Sequence, residues 1–116
     1  METLSIASKS PFSMKSVESA LSRDWRVEAS PDNAVVVYGA NSRAYLYPET
    51  VENRAKTHQL LLDYSDVELA KSILEKIADD PSLTVDNDFG TVLPGNEFVA
   101  RCKTERGWDW RGHPIE

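Results

Sequence analysis

Cysteine is almost missing from this chain. Cys102 is the only one in 116 residues, which excludes an internal disulfide and a cysteine-based zinc site. That usage favours a reducing compartment, and the cytosol is the expected location. No apolar run approaches the roughly 20 residues that span a bilayer. The segment Met1 to Lys9 also lacks the basic stretch and apolar run of a signal peptide. Five glycines are present, none in a P-loop or a Gly-x-Gly-x-x-Gly pattern, so no phosphate cradle is expected. Basic residues are scarce as well: 13 Lys and Arg stand against 19 Asp and Glu, for a net charge of -6. Such an acidic chain disfavours phosphate backbones and anionic lipid, so neither nucleic acid nor membrane is an expected partner.

What is present is globular. Hydrophobic residues make up 41% of the chain, with three Trp, four Tyr and three Phe, a content that disordered chains do not reach. The length suits one domain over 1–116, with 105–116 read alternatively as a C-terminal tail. Acidity is concentrated in one segment. From Asp63 to Glu97 there are nine acidic side chains and two basic ones, while residues 1–62 hold seven of each sign.

Local patterns place the elements. Leu4 to Ala7 reads as a short opening strand. Ser13 is a candidate N-cap, with Phe12 before it as a staple onto Val17, and Met14, Val17 and Leu21 share a helical face ending near Arg23. Three strands follow: Trp25 to Ala29, Ala34 to Tyr38, and Ala44 to Tyr47, the last stopping at Pro48. Glu49 to Thr57 fits either a loop or one helical turn. His58 to Tyr64 reads as a central strand. Ser65 and Glu68 form a capping box for a helix carrying Val67, Ala70, Leu74 and Ile77 on one face, and Glu75 is placed to pair with Lys71. Leu83 to Val85 and Gly90 to Leu93 flank the acidic turn Asp86-Asn87-Asp88. Phe98, Val99 and Cys102 suit a last helix, and a hairpin strand competes with it. The expected fold is α+β: a mainly antiparallel sheet of about four to six strands with two or three helices mostly on one face.

Few residues invite chemistry. Asp86 and Asp88 offer oxygen ligands to a divalent cation, and a small metal-dependent enzyme built on them is one alternative. Their Gly90 falls one position early for an EF-hand, no Glu closes the loop, and Asx residues in turns usually serve the backbone. Asp63 and Asp66 bracket the start of a helix, where carboxylates favour the dipole. A general acid made of Asp63 and His58 is disfavoured because strand alternation puts them on opposite faces. Cys102 reads as a packed small hydrophobe, and His113 has nothing nearby in sequence to orient it. Tyr45 and Tyr47 could stack on bases, yet only Arg43 beside them is basic. No cofactor is expected. Trp108 and Trp110 read as core caps, or as interface anchors if either is exposed.

The residues Leu62-Asp63-Tyr64-Ser65-Asp66, the helix after them, the run Val85 to Gly95 and Trp108-Asp109-Trp110 together carry a resemblance. In size, acidity and α+β layout the chain is similar to bacterial immunity proteins that neutralise toxins. The resemblance implies a non-enzymatic role: capture of a basic protein, such as a nuclease toxin, by an acidic surface. The expected contact residues are Asp63, Asp66, Asp79, Asp80, Asp86 and Asp88, with Trp108 and Trp110 as apolar anchors. A self-associating interaction module is the other alternative, since an antiparallel sheet covered on one face has another face to offer.

Overall fold

Strand β1 (Glu2–Ser8) occupies an interior position of the sheet, paired antiparallel on one side with β5 (Thr57–Tyr64) and on the other with β6 (Thr84–Asp86). A computed structural model describes residues 1–51 and 57–111, with Thr50, Val51 and Thr57 described through their backbone alone. Seven strands form one sheet in the order β2-β3-β4-β5-β1-β6-β7, and every pairing is antiparallel. The remaining strands are β2 (Arg26–Ala29), β3 (Val35–Tyr38), β4 (Arg43–Val51) and β7 (Val92–Pro94). The helices are α1 (Met14–Leu21), α2 (Val67–Ile77) and α3 (Gly95–Thr104).

The α+β expectation holds, with a larger sheet than expected. One extra strand comes from β7, which pairs with β6 across the acidic turn. The choice for the last element falls on a helix. Its residues Phe98, Val99 and Cys102 reach the core from one helical face.

Alternation along the strands separates the two faces of the sheet. Leu4, Ile6, Val35, Val37, Ala44, Leu46, Leu60, Leu62, Tyr64 and Val85 are buried on one of them. Helix α1 lies against β2, β3 and α2; α2 lies against β5 and α3; α3 lies against β6 and β7. Met14, Val17, Leu21, Val67, Ala70, Ile73, Leu74, Phe98 and Val99 fill the layer between. Burying one aliphatic chain of this kind contributes about 1.5–3 kcal/mol, so this layer dominates the favourable side of folding. The principal extents of 40 × 39 × 22 Å are those of a two-layer slab.

Several local expectations are refined. Ser13 does cap α1, accepting from the Ser16 amide at 3.2 Å, and α1 stops at Leu21, two residues before Arg23. The cap of α2 is Asp66 instead of Ser65. Its carboxylate accepts from the Glu68 amide at 2.9 Å, so the helix starts one residue later than a Ser65 box requires. Glu68 is then free to turn outward and pairs with Lys71 at 3.1 Å, the partner assigned from sequence to Glu75. Pro48 does not end β4, which continues to Val51. The β3 pairing ends at Leu46, so beyond that point β4 has a free edge where the missing N–H of proline is tolerated. Glu49 to Val51 thus extend β4, while the rest of the ambiguous segment, 52–56, lies outside the described residues.

Candidate functional site

All three helices pack on one side of the sheet, and the opposite side has no described element across it. Strand registers set what this open face displays. Tyr45, Asp63 and Thr3 lie side by side on β4, β5 and β1; the next row holds Tyr47, Leu61, Ser5 and Asp86 on β4, β5, β1 and β6. Tyr45, Tyr47 and Leu61 are half-buried. Val36 continues the apolar band onto β3, and Val92 is exposed on β7 beside Asp86.

Asp63 is held by its neighbours. The Thr3 hydroxyl donates to Asp63 Oδ1 at 2.6 Å, and the Tyr47 hydroxyl donates to the same oxygen at 3.2 Å. Partial burial first, and then the Asp63 charge, push the Tyr47 phenol above its ordinary pKa. Donors from two flanking strands therefore fix one carboxylate in the middle of the face.

Asp86 and Asp88 sit at the turn between β6 and β7. Asp86 Oδ1 accepts from the Asp88 amide at 2.8 Å, and Asn87 Oδ1 accepts from the amides of Phe89 and Thr91. Asp88 adopts φ +64, a left-handed conformation that Asp tolerates better than most residues, and Gly90 follows at φ +102. The Asx chemistry thus shapes the turn, as the sequence suggests, and leaves both carboxylates beside the open face. Between them and β5 lies a depression of about 190 Å³ whose lining includes Thr3, Ser5, Gln59, Leu61, Asp86 and Asp88. Phe89 projects from the tip of the turn, exposed.

The other sequence candidates do not join this group. Asp66 is committed to the N-cap of α2. Asp79 and Asp80 follow the far end of α2, which runs back antiparallel to β5 and carries them away from Asp63. Hydrogen bonds from the Ser82 amide and hydroxyl hold the Asp80 carboxyl below its usual pKa. The eight candidates therefore split, with Asp63, Asp86 and Asp88 on or beside the open face and the rest elsewhere.

The two tryptophans turn inward. Trp110 is buried, and its Nε1 donates to the Tyr64 hydroxyl at 2.5 Å. Both indoles, Phe98 and Tyr64 make an aromatic cluster with ring centres 5.2–5.9 Å apart, edge-on except for the tilted Phe98–Trp108 pair. Trp108 is half-buried under the Arg101 guanidinium, 4.0 Å from its ring centre. Trp110 is therefore a core cap, and its candidate role as an exposed anchor is withdrawn. A buried tyrosine hydroxyl needs a partner, and the tail supplies one.

Among the described residues no three His, Cys, Asp or Glu side chains converge as a metal site. His58 shares the helix-side alternation of Leu60 and Leu62, opposite Asp63. Cys102 is buried, and burial pushes its thiol up to about 11. His113 lies outside the described residues. Among those described, no helix is long and apolar enough to cross a membrane. Thr3 and Leu61 escaped notice as site residues, and Tyr47 was weighed only for stacking on bases. Alternation in three strands carries part of the signal, but the register that aligns them is not local. Compared with protein-family models, curated proteins and solved structures, the chain matches none.

Proposed function

We propose that this protein is a non-enzymatic binding protein of the immunity or inhibitor kind, holding a basic protein partner such as a toxin or effector. One observation carries the reading. Asp63, Asp86 and Asp88 lie on or beside a sheet face that no described element covers, and none has a Lys or Arg within 4.0 Å among the described residues. Asp24, Glu28, Glu68, Glu105 and Asp109 each have such a partner; Asp66, Asp79 and Asp80 have none either, so it is placement at the open face that sets the three apart. Unpaired carboxylates over a half-apolar floor favour a cationic surface and steer its approach. A reducing, cytosolic setting accords with the cysteine usage.

The test is capture from host lysate at low and high salt, with the wild type and the double reversal Asp86→Lys/Asp88→Lys. A basic protein should bind the wild type at low salt, be released by high salt, and bind the reversal at least about tenfold more weakly. Equal capture by both proteins would rule out the acidic turn as the contact.

A further inference from the structure

The depression on the open face has two unlike parts. Leu61 forms an apolar floor beside Thr3, Ser5 and Gln59, while Asp86 and Asp88 stand on the opposite rim. A long cationic side chain has the same two parts: a hydrocarbon stem that packs on apolar surface and a charged head that seeks carboxylates. A volume of about 190 Å³ is small for a drug-sized ligand, which uses about 300 Å³ or more, and accommodates one side chain. The geometry points to this groove as the seat for a single Lys or Arg of the basic partner, an assignment that rests on the binding role proposed above.

Charge decides the occupant. A second copy packed face to face by a two-fold axis would bring the same patch against itself. Asp63, Asp86 and Asp88 would then meet their own equivalents, and like charges at an interface cost several kcal/mol. On the far side of the face, Arg26 and Glu28 neutralise one another at 2.8 Å, and Arg26 also lies over the Tyr38 ring. The unpaired carboxylates of the face, Asp63, Asp86, Asp88 and Glu49 of β4 beside Gln59, thus lie from β4 to β6, around the groove. A cationic chain entering there stacks its stem on Leu61 and sets its head between Asp86 and Asp88.

The test titrates isotope-labelled protein at low salt with N-acetyl-arginine amide and N-acetyl-lysine amide, using the neutral isostere N-acetyl-citrulline amide as control. Amide shifts are followed by NMR. Saturable shifts at Thr3, Ser5, Leu61, Asp86 and Asp88 with either cation and not with citrulline are the expected result. In Asp86→Asn/Asp88→Asn those shifts should weaken by about tenfold. Asn keeps the side-chain oxygen that accepts the Asp88 amide and tolerates positive φ, so this variant removes charge while preserving the turn. Shifts spread equally over Glu75 and Asp79, or unchanged in the double variant, overturn the assignment. Concentration-dependent shifts at the same amides without ligand would put a second copy on the face and also overturn it. Loss of partner capture in Asp86→Asn/Asp88→Asn, with no groove shifts from either cation, would reject the seat while leaving the binding role standing. Groove shifts with no basic partner captured would instead reject the role.

Discussion

Gly95 occupies a position where no other residue fits. A Cβ there would stand 2.1 Å from the Ala78 carbonyl oxygen and 2.8 Å from that of Asp80, and neither backbone atom is free to rotate away. The start of α3 is thereby pressed against the exit of α2. Gly95→Ala should destabilise the fold by the upper part of the overpacking range, about 3 kcal/mol, read as a lower urea midpoint. An unchanged midpoint would mean that the two helix ends separate freely. Cys102 supplies a second residue-scale test. Burial raises its thiol from about 9 to about 11, with Lys71 opposing the shift. A raised folded pKa means that the native state holds the proton more tightly. The resulting stability is complete below pH 9 and is lost as pH climbs through 11. Wild type should therefore lose more stability than Cys102→Ala between those limits, and parallel curves would contradict the burial. Pattern reading anticipated the inert thiol, because Cys102 falls on the apolar side of its helix. It did not anticipate the demand on Gly95, which arises from a contact between segments far apart in sequence.

Among the elements, the C-terminal strap is the least legible locally. After α3 the chain turns at 105–108 and crosses the end of the sheet. Arg111 donates to the Ser65 carbonyl at 2.6 Å, and Lys71 donates to the Arg106 carbonyl at 3.2 Å. Trp110 closes the core between Tyr64 and Phe98. Trp110→Ala should cost about 3–5 kcal/mol, a large part of the total stability of a small domain. Trp110→Phe keeps a ring and leaves the Tyr64 hydroxyl unpaired, at a smaller cost of about 1–3 kcal/mol. Chemical denaturation of the two variants checks the order; both lack the hydrogen bond, so equal losses would show that the ring kept by phenylalanine contributes nothing. The helix starts were easier to read. Ser13 announces α1 through a short-range hydrogen bond, and the α2 boundary was missed by one residue because Ser65 and Asp66 are both good caps.

For the whole molecule, strand order predicts where stability resides. Strands β5 and β1 are flanked on both sides, whereas β2 and β7 form the edges of the slab. Native-state hydrogen exchange should be slowest in β1 and β5 and fastest in β2 and β7, since edge pairs open without global unfolding. Equal protection at Val92 and at Leu62 would show that the sheet opens only as a unit. The same order explains the open face. Helices reach one side of the sheet, and no described element covers the half-buried Tyr45, Tyr47 and Leu61 and the carboxylates around them on the other.

Composition and short-range pattern were enough for the α+β class, most strand and helix positions, the inert cysteine and the acidic second half. Each depends on neighbours within a few residues: caps, turns and apolar periods of two or 3.6. Only tertiary structure decided which acids come together. Thr3 meets Asp63, and Asp86 falls on the same face one row away beside Ser5, because β1 pairs with β5 on one side and β6 on the other, a register fixed by burying Leu4, Ile6, Leu60, Leu62 and Val85 together. That same burial draws Trp110 inward and leaves Asp79 and Asp80 at the far end, so a charge segment continuous in sequence is divided in space.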